Sequence, residues 1–173
     1  MGRNGTIEDP LNCGHVEIYS DGSARGNPGP GGYGTIVRYT DPAGKIIEKE
    51  FCGGFEKTTN NRMELLGAII GFEALKRPCS IDFYSDSQYV VKAFNDNWIE
   101  GWVKRGWKNS KGQPVANTDL WKRMLSTIEG HDVSYHWVKG HAGHPENERC
   151  DELATSAADG TNLSEDTGFH YKS

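Results

Sequence analysis

The chain has 173 residues, 35% of them hydrophobic and 25% charged, and a formal net charge of −5. That length suits one domain able to bury roughly 70% of the surface its unfolded chain exposes. No apolar run approaches the roughly 20 residues that span a bilayer, and Cys13, Cys52, Cys79 and Cys150 are scattered without a CxxC pair, so membrane roles and a disulfide framework are excluded and a reduced, cytoplasmic, monomeric protein is expected.

Residues 1–14 are poor in apolar side chains and aperiodic, which predicts a flexible leader ahead of a domain over 15–160. The first strand reads Val16 to Ser23, VEIYSDGS, and stops at a carboxylate, Asp21, followed at once by glycine. The run Ile81 to Gln88, IDFYSDSQ, echoes it, so Tyr19, Ser20 and Asp21 have counterparts in Tyr84, Ser85 and Asp86. Asp followed by Gly or Ser is ordinary at a strand-terminal turn. Side by side and parallel, however, the two strands would bring their acids together beyond the carboxyl ends, where ligands bind in open α/β sheets. Like charges that close oppose each other's ionisation unless a cation neutralises them.

After the first strand, Asp21 to Gly34, DGSARGNPGPGGYG, demands tight turns and close backbone approach, without the GKS or GKT of a P-loop. It is expected to turn into a second strand over Tyr33 to Tyr39. A third, Lys45 to Phe55, follows the turn at Asp41 to Gly44, which makes three antiparallel strands. From Thr59 the period becomes helical, with Thr or Asn as N-cap and Pro78 as the stop. Glu64, Gly67, Ala68, Gly71 and Leu75 share one stripe, whose small residues suit close packing on a sheet and place Glu64 at its edge. An exposed first-turn acid helped by the helix dipole is the plainer alternative. The strand Ser80 to Tyr84 then delivers Asp86 after a right-handed crossover.

Short helical pieces over Ser87 to Phe94 and from Trp98 onward include WIEGWVKRGWKNSKGQP, which interleaves Trp98, Trp102 and Trp107 with Lys104, Arg105, Lys108 and Lys111. A negative chain argues against a nucleic-acid partner, yet between Gly101 and Gln113 every charge is positive, and aromatic rings among cations suit a nucleic-acid backbone. The competing reading puts the tryptophans in the core and the lysines on a solvated face. A helix over Thr118 to Glu129 and a strand over Val133 to Trp137 follow. The last helix opens at Pro145 and carries Asp151 beside an apolar stripe of Cys150, Leu153, Ala154 and Ala157. Residues 161–173 are expected to form a loosely structured tail. The elements in order predict an α/β fold with a five-stranded mixed sheet, three strands antiparallel and two added in parallel, flanked by helices.

Asp21 and Asp86 from strands, with Glu64 and Asp151 from helices, form the candidate catalytic cluster. All-oxygen ligation suits Mg²⁺, with Mn²⁺ as the alternative, and two such ions about 4 Å apart stabilise the attacking and leaving oxygens of an in-line displacement at phosphorus. His141, in a glycine-flanked loop ahead of Asp151, offers an imidazole to move a proton or assist product departure. A zinc set of His136, His141, His144 and Cys150 fails the spacing of structural zinc sites. His15, His131 and His170 are read as surface or strand residues.

The stretches SDGSARGNPGPGGYG, TTNNRMEL, SDSQYV and VKGHAGHPENERCDELA, in this order, resemble the type 1 ribonuclease H family, close to its bacterial single-domain members, over about His15 to Phe169. The resemblance implies an endonuclease that cuts the RNA strand of an RNA–DNA hybrid, leaving 5′-phosphate and 3′-hydroxyl ends. Its four metal ligands map onto Asp21, Glu64, Asp86 and Asp151, with Asp21 shared by both ions, and its loop histidine maps onto His141. It further implies hybrid contacts from Asn27, Asn60, Asn61 and Gln88, and a pocket for a DNA-strand phosphate from Lys57, Thr59 and Asn117. Lys57 stands where a relative carries arginine, which reduces a bidentate contact to a point charge. The segment holding Trp102, Lys104, Arg105, Trp107 and Lys108 resembles the basic protrusion that grips the DNA strand. The rivals are a binding module without chemistry, a DNA-cutting nuclease of the same superfold, and a metal-dependent phosphatase. The four acids argue against the first; Asn60, Asn61 and the basic segment argue against the second, and that segment against the third.

Overall fold

A computed structural model describes residues 15–41, 43–140 and 143–169. The expectations for the leader, for residues 170–173 and for His141 lie outside the described residues. Alternation along β1 (His15–Ala24) buries Val16, Ile18 and Ser20 on one face and leaves Glu17 and Tyr19 half-buried on the other. β2 (Gly29–Thr40) and β3 (Ile46–Thr58) follow antiparallel, and β4 (Ser80–Ser85) and β5 (Asp132–Trp137) lie parallel to β1, in the order β3-β2-β1-β4-β5. The five-stranded mixed sheet expected from the sequence is therefore present, flanked by α1 (Asn60–Glu73), α2 (Gln88–Asn95), α3 (Trp98–Lys104), α4 (Thr118–Ile128) and α5 (Pro145–Ala158). Among the described residues no helix is long and apolar enough to cross a membrane.

The main core gathers β1 and β4 with α1, α2 and α4: Ile18, Phe83, Met63, Ile69, Phe72, Val90, Trp121 and Met124 are buried together. Each such side chain contributes roughly 1.5–3 kcal/mol by leaving water. Near-complete burial of α1 on most sides follows from its position, since it is packed on β1 and β2 and also against α4. Its predicted glycine stripe faces the sheet: a Cβ on Gly71 would lie 2.7 Å from Ile18 Cγ2, and one on Gly67 would lie 3.3 Å from the Asp21 carbonyl oxygen.

Two local expectations are corrected. β1 does not stop at Asp21 but runs to Ala24, because β2 continues to pair with it through Asp21↔Gly34, Gly22↔Tyr33 and Ser23↔Gly32. Only the parallel partner ends there, at Ser20↔Ser85. Likewise β2 starts at Gly29, so most of the glycines read as a turn are strand residues. The reason is α5, whose backbone lies directly on them: a Cβ on Gly32 would sit 2.6 Å from the Ala154 carbonyl oxygen, and one on Gly34 would sit 2.6 Å from Leu153 Cβ. Close backbone approach is what these glycines permit, in a sheet rather than a turn.

Residues 161–169, expected to be loose, have no helix or strand beyond one isolated bridge. They are nevertheless anchored: Ser164 N–H donates to the Gly54 carbonyl at 2.9 Å, Glu56 N–H donates to the Ser164 carbonyl at 2.8 Å, and Asp166 is ion-paired to the buried Arg62.

Gly34→Ala is expected to lower unfolding stability by about 1–3 kcal/mol, since the new methyl must displace the α5 backbone. Urea unfolding with an unchanged m-value measures it, and a loss below about 0.5 kcal/mol, typical of neutral surface changes, would contradict the packing.

Candidate active site

The sequence echo is in register. Tyr19 pairs with Tyr84 and Ser20 with Ser85, so Asp21, still on β1, and Asp86, the first residue after β4, follow at the same level of two adjacent parallel strands. Glu64 reaches them because Gly22 lets the first turns of α1 lie on β1; a Cβ there would be 2.8 Å from Met63 Cβ. The helix entry is tied down from both sides. Thr59 caps α1 by accepting from Arg62 N–H at 3.2 Å, Ala24 N–H donates to Asn60 Oδ1 at 2.7 Å, and Asn60 N–H donates to Asn27 Oδ1 at 3.0 Å.

One oxygen from each of Asp21, Glu64 and Asp86 lies within 4.8 Å of the others. Asp151, one residue beyond the buried Cys150 on α5, stands close enough to Asp21 for its negative charge to raise the Asp21 carboxyl. Gly140 closes the other side: a Cβ on it would be 2.7 Å from Asp86 Oδ2. Asp21 is buried, and Gly22 N–H donates to its Oδ1 at 2.8 Å. Burial, followed by the negative charge of Asp86, pushes its carboxyl up to about 8, against the stabilising Gly22 bond. Glu64 is raised well above the usual carboxylate range, again by burial first and then by Asp21 and Asp86. Its Oε1 is buried with no hydrogen-bond partner among the described residues. A buried acceptor without a donor, beside like charges, is costly unless a cation is the partner. These residues therefore fit a divalent metal with oxygen ligands.

A cleft of about 820 Å³ is lined by Asn27, Thr59, Asn61, Asn117, Thr118 and Phe169, among others. It lies between the first turns of α1 and α4. Asn117, the residue before α4, has φ 61° and makes no side-chain cap to that helix. Its amide is turned elsewhere, with Nδ2 donating to Tyr89 Oη at 3.1 Å and Oδ1 accepting from Arg62 Nη1 at 3.3 Å. Two helix N-termini facing one cleft, one of them without a side-chain cap, present backbone N–H groups and positive dipole ends, which suit an anion. Of the pocket residues predicted from sequence, Thr59 and Asn117 line this cleft and Lys57 is exposed at the end of β3. Asn27, Asn60, Asn61 and Gln88 are exposed around the α1 entry and the start of α2.

The basic segment divides by side-chain type. Trp102 stands 5.3 Å from the buried Trp121 and 6.5 Å from Trp107, and both rings pack against the main core. Lys104, Arg105 and Lys108 are exposed, with Arg105 Nε donating to the Lys108 carbonyl at 3.0 Å. Both readings of this stretch thus apply, the core reading to these tryptophans and the solvated one to the cations. Arg62, Asp119 and Asp166 escaped the sequence reasoning. Their separations of 57 and 104 residues obey no spacing rule, and the one available signal was a lone arginine inside a helix otherwise suited to burial.

The family described as RNase H matches residues 14–159. A protein named Ribonuclease H from Lachnoclostridium phytofermentans is 63% identical over 152 residues, covering 87% of this chain and 96% of the relative. One of the same name from Syntrophotalea carbinolica is 60% identical over 146 residues, covering 84% and 92%. Among solved structures, LC9-RNase H1, described as a type 1 RNase H with the type 2 active-site motif, superposes with TM-score 0.75 at 36% identity over 84% of this chain and 72% of that one. LC11-RNase H1 in complex with RNA/DNA hybrid shares the fold, with TM-score 0.60 at 24% identity over 83% of this chain and 96% of that one.

The cluster has a signed effect on stability. The folded Asp21 carboxyl titrates near 8 and an unfolded one near 4, so the stability it contributes is whole below about pH 4 and is lost as pH rises toward 8. In chelator, wild-type stability is expected to fall over that window while Asp21→Asn stays flatter. Coincident pH profiles of the urea midpoint would overturn this.

Proposed function

The chain belongs to the ribonuclease H family, and from that premise we propose that it is an endonuclease hydrolysing the RNA strand of RNA–DNA hybrids, with 5′-phosphate and 3′-hydroxyl products. The observation that carries this reading is the convergence of Asp21, Glu64 and Asp86, joined by Asp151, around a buried and unpartnered Glu64 oxygen. Asp21, Glu64, Asp86 and Asp151 would hold two Mg²⁺ ions, Asp21 being shared. Such ions, when bound, supply a reactive water nucleophile and offset charge on the leaving oxygen.

The remaining work falls to residues of the chain itself. Asn27 and Asn60 brace the β1–β2 connection against the start of α1 and, with Asn61 and Gln88, stand where the 2′-hydroxyls that mark RNA would be read. Lys57, Thr59 and Asn117, with the two helix N-termini, hold a phosphate of the DNA strand; Lys57 contributes a point charge and the helix ends contribute direction. Lys104, Arg105 and Lys108 attract the DNA backbone further along, on a segment held rigid by Trp102 and Trp107. His141 is assigned to proton transfer or product departure at the edge of the carboxylates.

With Mg²⁺ and a labelled hybrid, wild type is expected to cut the RNA strand. Asp21→Asn should lower cleavage by roughly 100- to 1000-fold or more, the scale of lost charge stabilisation, while retaining hybrid binding. An intact hybrid in the wild-type reaction would refute the proposal. Neutralising Lys104, Arg105 and Lys108 together should weaken binding and flatten its log–log salt slope by about 1 for each phosphate the protein no longer neutralises; an unchanged slope would remove that segment from the interface.

A further inference from the structure

Arg62 lies at the floor of the cleft assigned to the DNA-strand phosphate, where an arginine would ordinarily be taken for the phosphate ligand. Its hydrogen bonds rule that out. Nε donates to Asp166 Oδ2 at 2.8 Å, Nη2 to Asp166 Oδ1 at 3.0 Å and to Asp119 Oδ2 at 2.8 Å, and Nη1 to Asp119 Oδ1 at 2.9 Å and to Asn117 Oδ1 at 3.3 Å. A guanidinium has five N–H donors, and all are engaged. The side chain is 2% exposed, and one cation against two carboxylates leaves the cluster net negative, the wrong sign for attracting a phosphate.

The same bonds have a different consequence. Asn117 sits at φ 61°, a left-handed conformation that asparagine adopts more readily than other non-glycine residues. Two side-chain hydrogen bonds fix the direction of its amide, and one comes from Arg62. Arg62 is in turn oriented by Asp166, whose side chain is 10% exposed and whose Oδ2 also accepts from Thr58 Oγ1 at 2.6 Å. Thr58 is flanked by Lys57 and Thr59, so Asp166 ties the β3 end of the cleft to its α4 end. Gly168 and Phe169, just beyond it in the chain, form part of the cleft wall.

We infer that Asp166 is a positioning residue for substrate: through Arg62 it holds Asn117, and through residues 167–169 it sets the cleft wall, so that the segment 164–169 governs affinity for the DNA strand without touching the reacting atoms. This rests on the proposed use of the cleft for a DNA-strand phosphate. Asp166→Asn removes the charge that orients Arg62, and loss of one charge-assisted bond corresponds to roughly a tenfold effect on binding.

The test is steady-state cleavage with Mg²⁺, together with hybrid binding by fluorescence anisotropy in EDTA. Substrates are the plain hybrid and hybrids bearing a single neutral methylphosphonate stepped along the DNA strand. For wild type, one methylphosphonate position should raise KM. Asp166→Asn should raise KM on the plain hybrid roughly tenfold with kcat within about twofold, and should be indifferent to that methylphosphonate, a non-additivity that marks a shared interaction. Asp166→Glu should recover most of the loss. Gly168→Ala, which removes no polar group but would place a Cβ 1.9 Å from Asp119 Oδ2 and 2.7 Å from Arg62 Nη2, displaces the same Arg62 cluster from the Asp119 side, should show the same KM pattern and serves if Asp166→Asn fails to fold. A folded variant with unchanged KM, a fall confined to kcat, or full methylphosphonate sensitivity in either variant would overturn the inference while leaving the nuclease reading intact. Wild type that neither cuts nor binds the hybrid would overturn that reading, and this inference with it.

Discussion

The Asp21 and Glu64 carboxyls are buried beside Asp86 and Asp151, stripped of much of their hydration and facing like charge, so electrostatics works against this site rather than holding it together. Backbone contact supplies the restraint instead. Glycines at 22, 32, 34 and 71 bring α1 and α5 onto the two faces of β1 and β2 at distances where a Cβ would force a shift, and Gly67 tightens the same contact. Glu64 and Asp151 are carried in on those helices, to meet Asp21 and Asp86 at the point where the β1–β4 ladder ends. The rest of the architecture follows from that requirement: a mixed sheet whose central strand has antiparallel pairing on one side and a parallel ladder that stops on the other.

Acids that repel one another differ from acids that brace the fold. The Asp21 carboxyl is raised by burial and then by Asp86, and Glu64 by burial and then by Asp21 and Asp86, whereas carboxylates elsewhere, such as Glu73 and Asp119, are lowered by hydrogen bonds from Arg123 and Arg62. The contrast separates acids that stabilise the fold from acids that destabilise it until a cation arrives. Perturbation of the second kind, in a group with an orphaned oxygen, is the signature expected of a functional site.

Positive charge is divided among separate tasks. Arg62 is buried and saturated, and it acts within the protein; Lys104, Arg105 and Lys108 are exposed at the surface. The neighbouring Trp102 and Trp107 pack inward on Trp121 and the core, so the basic segment presents its charge from a rigid base. A net charge of −5 does not bar a nucleic-acid partner because the charge is uneven: between Gly101 and Gln113 every charged residue is positive.

Much of this was legible in the sequence because it was local. The repeated Tyr-Ser-Asp endings announced two equivalent strand positions, and the shift from period two to period 3.6 at Thr59 announced α1. The glycine stripe announced close packing, and the motif order carried the family. What local pattern could not decide was pairing. Asp21 reads as a strand end from its Asp-Gly step, yet β1 continues because β2 lies beside it; the glycines from Gly29 read as a turn, yet they are a strand surface because α5 lies across them. Arg62, Asp119 and Asp166 carry no shared motif at all. The sequence by itself determined which residues can do the chemistry, since residue type and period are properties of neighbouring positions. Only the tertiary structure decided where strands end and which distant charges meet, because those depend on atoms brought together from across the chain.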